Sequence, residues 1–282
     1  MDVSTFTANR RTLRTAAGDI AYTEWGSGPA AVFVHGLSVS GAIWRHVIEQ
    51  LRDTTRCIAI DLPGHGGTPA RADATVTTFA QVVVDLCEGL GLDKVDLVGS
   101  DTGGAIAQLV AARHPELLRS FTLTNCDTEG NFPPPEFAPM VELARQGGIA
   151  PLLVPLGQAP LLAPGSPLGA AFEHPEKVPD DAWREYVTPI AGDAERARYF
   201  ERIMAAFDPA EMAGVNDRLS RLEVPVQLVW GTGPGGFDVE WAYKLRDLIP
   251  GARVIELDGA KIFYMEERPD VLIAALRQLW GR

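Results

Sequence analysis

The chain has 282 residues, 22% charged and 46% hydrophobic, the balance expected of a soluble enzyme with a sizeable core. A net charge of −12 argues against nucleic acid or anionic membranes as partners, because their phosphates would be repelled. Cys57, Cys87 and Cys126 are widely spaced, make no metal motif and leave one thiol without a mate, so a reduced, cytoplasmic setting is expected. The polar start Met1–Thr5 has no signal-like apolar segment, and no window reaches the length of a membrane span.

In chain order, two short strands are expected around Thr12–Arg14 and Asp19–Trp25, turned by Ala17-Gly18. The runs Ala31-Val32-Phe33-Val34 and Cys57-Ile58-Ala59-Ile60 are apolar throughout, as strands buried in parallel sheets are. A helix over Gly41–Leu51 separates them. A Gly-rich loop, Asp61-Leu62-Pro63-Gly64-His65-Gly66-Gly67-Thr68, follows the second run, then a helix from Thr78 to Leu90 and a strand Val95–Val98. A further helix starts near Gly103 and stops at His114, because Pro115 disfavours helix at the residue before it. Phe121–Thr124 is the next strand. From Asn131 to about Leu222 there are many prolines and helical stretches such as Asp193–Phe207, but no strong strand. Alternation then resumes with Val224–Trp230, a helix over Asp238–Leu248, Arg253–Leu257 and a last helix, Pro269–Trp280. This order predicts an α/β fold, a mostly parallel central sheet with helices on both faces and an inserted helical cap. Residues 1–130 and 223–282 would form the core and 131–222 the cap. Ligands would bind beyond the carboxyl ends of the strands.

One stretch organises the rest. In Val98-Gly99-Ser100-Asp101-Thr102-Gly103-Gly104 a strand ends and a helix begins, with glycines two positions either side of Asp101. That is the pattern of a nucleophile elbow, a strained turn that lifts one side chain to the end of a sheet. Asp is also a preferred helix N-cap, so the stretch alone leaves both readings open.

The surrounding pieces resemble the α/β-hydrolase superfamily: Phe33-Val34-His35-Gly36, Trp44, Asp61-Leu62-Pro63-Gly64-His65-Gly66, the elbow, and Ala112-Arg113-His114-Pro115-Glu116. Their order and spacing carry the resemblance across nearly the whole chain. An elbow aspartate resembles the epoxide hydrolases and haloalkane dehalogenases of that superfamily. The resemblance implies Asp101 as nucleophile and the backbone N–H groups of Leu37 and Thr102 as an oxyanion hole. It implies no cofactor and no metal.

The chain departs from that pattern in two places. Pro234 occupies the usual place of the triad acid, in Trp230-Gly231-Thr232-Gly233-Pro234. The loop Gly259–Pro269 contains no histidine, and Lys261 or Ile262 fills its slot. Candidates for substitute or substrate-binding groups are His35, His174, Asp238, Lys261 and Tyr264, with Asp127, Asn125 and Cys126 after the next strand. The resemblance to epoxide hydrolases, whose cap tyrosines donate hydrogen bonds to the epoxide oxygen, implies Trp183, Tyr186 and Tyr199 as pocket candidates; Trp183 and Tyr186 share a helix face, which core packing would also produce. The apolar run Ala150–Ala163 suggests a lipophilic entrance or, equally, the core of the cap.

Three functions follow from the sequence. The first is ring opening of an epoxide, or displacement of another leaving group, on a lipophilic small molecule, with Asp101 as nucleophile or base. The second is a non-hydrolytic cyclase, lyase or isomerase in which Asp101 moves a proton. The third is a catalytically silent binder. A homodimer is left open.

Overall fold

The computed structural model describes residues 1–156, 168–235 and 237–282. Eight strands form one sheet in the order β1-β2-β4-β3-β5-β6-β7-β8. They are β1 (Arg10–Thr15), β2 (Gly18–Trp25), β3 (Ala30–Val34), β4 (Arg56–Ile60), β5 (Val95–Asp101), β6 (Leu118–Cys126), β7 (Val226–Gly231) and β8 (Arg253–Leu257). β1 and β2 form an antiparallel hairpin, β2 joins β4 antiparallel, and every pairing from β4 to β8 is parallel. The apolar runs sit in the middle: β3 and β7 are buried along their whole length, whereas the edge strand β8 is half exposed.

The helices before the elbow are α1 (Val3–Ala8), α2 (Arg45–Leu51) and α3 (Val76–Gly89), and the elbow helix is α4 (Thr102–Arg113). Then come α5 (Ala138–Arg145), α6 (Ala150–Leu156), α7 (Asp180–Ala191), α8 (Ala194–Ala205) and α9 (Val215–Leu219), followed by α10 (Val239–Leu248), α11 (Tyr264–Glu267) and α12 (Pro269–Trp280). The sequence reading omits α1. Six residues give too little periodicity to see, and the helix rests on the Asp2 cap, which accepts from the Thr5 amide, and on buried Phe6. The expected helix at Gly41 is a 3-10 turn, Gly41–Trp44, that runs into α2.

α4 is apolar on every side because all its residues but the last are buried. α2 packs on α12 and α3 on α4. Between β6 and β7 the described residues form helices and 3-10 turns but no strand, apart from one isolated bridge between Thr128 and Asn131, with α8 packing against α5, α6 and α7. α7 is fastened to the sheet region by two charged clusters at successive residues. Glu185 pairs with Arg10, which also meets Asp61 at 2.8 Å. The Tyr186 hydroxyl donates to Glu266 at 2.9 Å, and Arg45 pairs with both groups in a site closed to solvent. Such a set is costly to break, because removing one partner leaves a buried charge.

The register fixes the place of the site. Val34 pairs with Gly99 and Asp101 with Cys126, so the carboxyl ends of β3, β5 and β6 lie side by side.

Candidate active site

Asp101 is the last residue of β5 and, among the described residues, the one non-glycine with a positive φ, +54°. Such a conformation costs on the order of 1–3 kcal/mol and persists only where its surroundings enforce it. Two close approaches do so. A Cβ on Gly36 would fall 2.2 Å from Asp101 Oδ2, and one on Gly103 would fall 2.2 Å from the His35 carbonyl oxygen. Glycine at both positions lets the turn close.

The carboxylate does not cap α4. It points across to β3's end, where the Leu37 N–H donates to Oδ2 at 2.9 Å. Burial pushes the Asp101 carboxyl up to about 6, while the Leu37 and Thr102 amides work in the opposite direction. The two amides implied as oxyanion donors thus both lie against this one carboxylate.

A second carboxyl group shares the site. Asp127 follows the residue that pairs with Asp101 across β5 and β6, and its side chain is buried. Thr102 stands between the two acids, its amide against Asp101 and its hydroxyl against Asp127. Asp127 Oδ1 finds no partner among the described residues. Burial, then the charge of Asp101, hold Asp127 well above the usual carboxylate range. Two like groups in one enclosed site cannot both ionise readily, so a charge on Asp101 favours the protonated form of Asp127. Gln108 of α4 anchors the arrangement, donating from Nε2 to the Asp127 carbonyl at 2.6 Å and the Gly104 carbonyl at 3.0 Å. Asn125 exchanges hydrogen bonds with the Gly231 backbone, at 2.7 and 2.8 Å, and so ties β6 to β7 instead of entering the site.

Both acids line a cavity of about 510 Å³ beyond the strand ends. Its polar side chains are Ser38, Asp101, Thr102, Asp127 and Glu136, and the remainder is apolar, including Met140, Leu153, Val187, Phe200, Phe207 and Phe237. Among the described residues no histidine, lysine, arginine, tyrosine or tryptophan lines it. The slot in the last loop is filled by Ile262 and Phe263, which line the cavity, and not by Lys261.

Several expected site residues lie elsewhere. Trp183 and Tyr186 face the interior of the fold: Trp183 packs edge-on against Phe172 with centroids 4.9 Å apart, and Tyr186 is held by Arg45 and Glu266. The part of α7 that lines the cavity is Val187, Ile190 and Ala191. Tyr199 accepts the Arg71 N–H at 3.0 Å, and its neighbour Phe200 takes the cavity position one residue along the helix. Tyr264 is buried, donating to the Val229 carbonyl at 3.1 Å. Asp238 is an exposed residue at the start of α10, and His174 is exposed beside Glu176 at 3.3 Å. His35 is fully buried. Its Nε2 accepts the Leu62 N–H at 2.9 Å, so Nδ1 carries the proton and donates to the Gly36 carbonyl at 2.7 Å. Burial holds this imidazole well below its ordinary pKa and therefore neutral. Of the apolar run Ala150–Ala163, Leu152 and Leu153 line the cavity, while residues 157–163 lie outside the described residues. No metal-holding group of three or more His, Cys, Asp or Glu occurs among the described residues, and none of their helices is long and apolar enough to cross a membrane.

Comparison with known proteins gives the lineage. A family model described as alpha/beta hydrolase fold matches residues 29–268. The chain is 27% identical to haloalkane dehalogenase 2 of Mycobacterium tuberculosis, over 96% of this chain and 94% of that one. It is 23% identical to epoxide hydrolase 1 of Caenorhabditis elegans, over 89% of this chain and 65% of the relative. An alpha/beta hydrolase fold protein from Burkholderia ambifaria superposes with a TM-score of 0.84 at 22% identity, covering 95% of this chain and 97% of that structure.

Proposed function

Because this chain belongs to the alpha/beta hydrolase fold family, we propose that it hydrolyses epoxides of lipophilic small molecules, using Asp101 and Asp127 as a base and acid pair. The segment 131–222 would serve as the cap over the cavity. One observation carries the reading. Two buried carboxyl groups, Asp101 raised to about 6 and Asp127 raised by burial and by the charge of Asp101, face the same apolar cavity, where no histidine is present among the described residues.

Ionised Asp101 removes a proton from a water held between it and the substrate, and that water attacks an epoxide carbon. As the strained C–O bond breaks, neutral Asp127 gives its proton to the departing oxygen. The product is a diol, leaving Asp101 protonated and Asp127 ionised. A proton passing back from Asp101 to Asp127 resets the pair. Direct attack by Asp101 would instead leave an ester with no histidine to activate water against it, so delivery of water is the better fit. The leaving group follows from the same geometry. An alkoxide needs a proton, which Asp127 holds, whereas a departing halide needs side-chain N–H donors that no described lining residue supplies.

The test is turnover of a panel of terminal and internal epoxides with product identification. Diol formation should fall by on the order of 10²- to 10⁴-fold in Asp101→Asn and in Asp127→Asn. Diol formation that survives Asp101→Asn would refute the assignment, and an isomeric carbonyl product would point to proton transfer without water.

A further inference from the structure

The cavity has a pronounced sign of charge. Its ionisable lining groups among the described residues are Asp101, Asp127 and, exposed at the margin, Glu136, with no cation lining it beside them. Several cations of the described residues are committed elsewhere. Arg10 is held by Asp61 and Glu185, and Arg45 by Glu266 and Tyr186. Arg145 of α5 turns its guanidinium to the Phe207 carbonyl at 2.8 Å instead of into the cavity. Lys261 sits beside the lining residue Ile262 but does not line the cavity itself. The cavity also holds the buried acid Asp127, with one oxygen unpartnered among the described residues, which can meet a neutral oxygen or an ammonium, while the Asp101 carboxylate beside it opposes an anion.

We infer that the cavity sorts lipophiles by charge, taking those with an uncharged or protonated-amine head group and rejecting fatty-acid-like anions of the same length. The apolar walls bind the chain of all three alike. Discrimination arises at the head group, where an anion would lie within about 6 Å of the Asp101 carboxylate in a partly dehydrated site. A repulsion of that kind is worth on the order of 100-fold in affinity. The inference rests on this cavity being the substrate site, as proposed above, but not on the epoxide chemistry.

The experiment is calorimetric titration at pH 8 with decanol, decylamine and decanoate, which share a ten-carbon chain. In the wild-type protein decylamine should bind at least as tightly as decanol, and decanoate about 100-fold more weakly. In the double variant Asp101→Asn/Asp127→Asn the gap between decanol and decanoate should close to within about tenfold. If the double variant does not fold, Asp101→Asn alone should narrow the gap in the same direction. Decanoate binding within tenfold of decanol in the wild type overturns the inference, as does failure of all three to bind. Rejection of decanoate that persists in the variants also overturns it, because shape and not charge would then be responsible. Binding is read without turnover, so a protein that opens no epoxide can still sort by charge, and an active epoxide hydrolase can fail to sort.

Discussion

Replacing Asp101 with asparagine should make the protein more stable, and the gain should depend on pH. The folded protein holds this carboxyl at about 6 against an ordinary value of 3.8, chiefly because burial penalises the charge. A folded pKa raised above the unfolded one means that the fold favours the protonated form. The group's contribution is therefore fully present below about pH 4 and is lost as pH rises through 6. Roughly two pKa units at about 1.4 kcal/mol each set the scale, so wild type loses on the order of 2 kcal/mol between pH 4 and pH 8 from this group. Asparagine does not titrate, keeps an oxygen for the Leu37 N–H, and tolerates positive φ better than most residues. For a domain of this size the difference in melting temperature, variant minus wild type, should grow by roughly 4–8 °C from pH 4 to pH 8. Thermal unfolding followed by circular dichroism across that range reads it directly. A difference that is independent of pH, or a variant less stable than wild type at pH 8, would refute the placement of Asp101 in a desolvated site.

Three other outcomes are expected. Epoxide turnover should rise with pH through about 6 as Asp101 ionises, and fall at higher pH as Asp127 loses its proton; in Asp127→Asn the residual activity should keep the rising limb and lose the falling one. Glu266→Ala should destabilise the fold by about 3–5 kcal/mol in denaturant titrations, because it strands the Arg45 charge, and Arg45→Met in the same chain should recover much of that loss. Gln108→Leu should cost about 1–3 kcal/mol by leaving the Asp127 carbonyl without its donor, and should displace the alkaline limb of the pH profile more than KM.

The sheet and the elbow are legible in the sequence because their signals are local. Apolar runs such as Ala31–Val34 and Cys57–Ile60 have one stable use, burial on both faces, and Gly99 and Gly103 around Asp101 describe a turn that other residues cannot make. Asp127 is harder to see, since nothing near it in the chain says that Cys126 will pair with Asp101 or that Thr102 will stand between two acids. The aromatic residues of α7 and α8 mislead for a related reason. Spacing places Trp183 and Tyr186 on one face, but Arg45 and Glu266, distant in sequence, decide what Tyr186 meets. One step of 100° along α8 separates Tyr199, bonded to the Arg71 backbone, from Phe200, which lines the cavity. The absence of histidine before the last helix is plain in the sequence. What replaces it in that loop, Ile262 and Phe263 closing an apolar wall, appears only when the loop is folded against the cavity.

The central claim is that Asp101 delivers water and does not itself bond to the substrate. A single turnover in oxygen-18 water, with enzyme in excess over an epoxide it converts, separates the two. The account predicts a diol carrying one labelled oxygen from that first turnover and an unlabelled Asp101 peptide. An unlabelled diol, with the heavy isotope appearing in the Asp101 carboxyl, would contradict it.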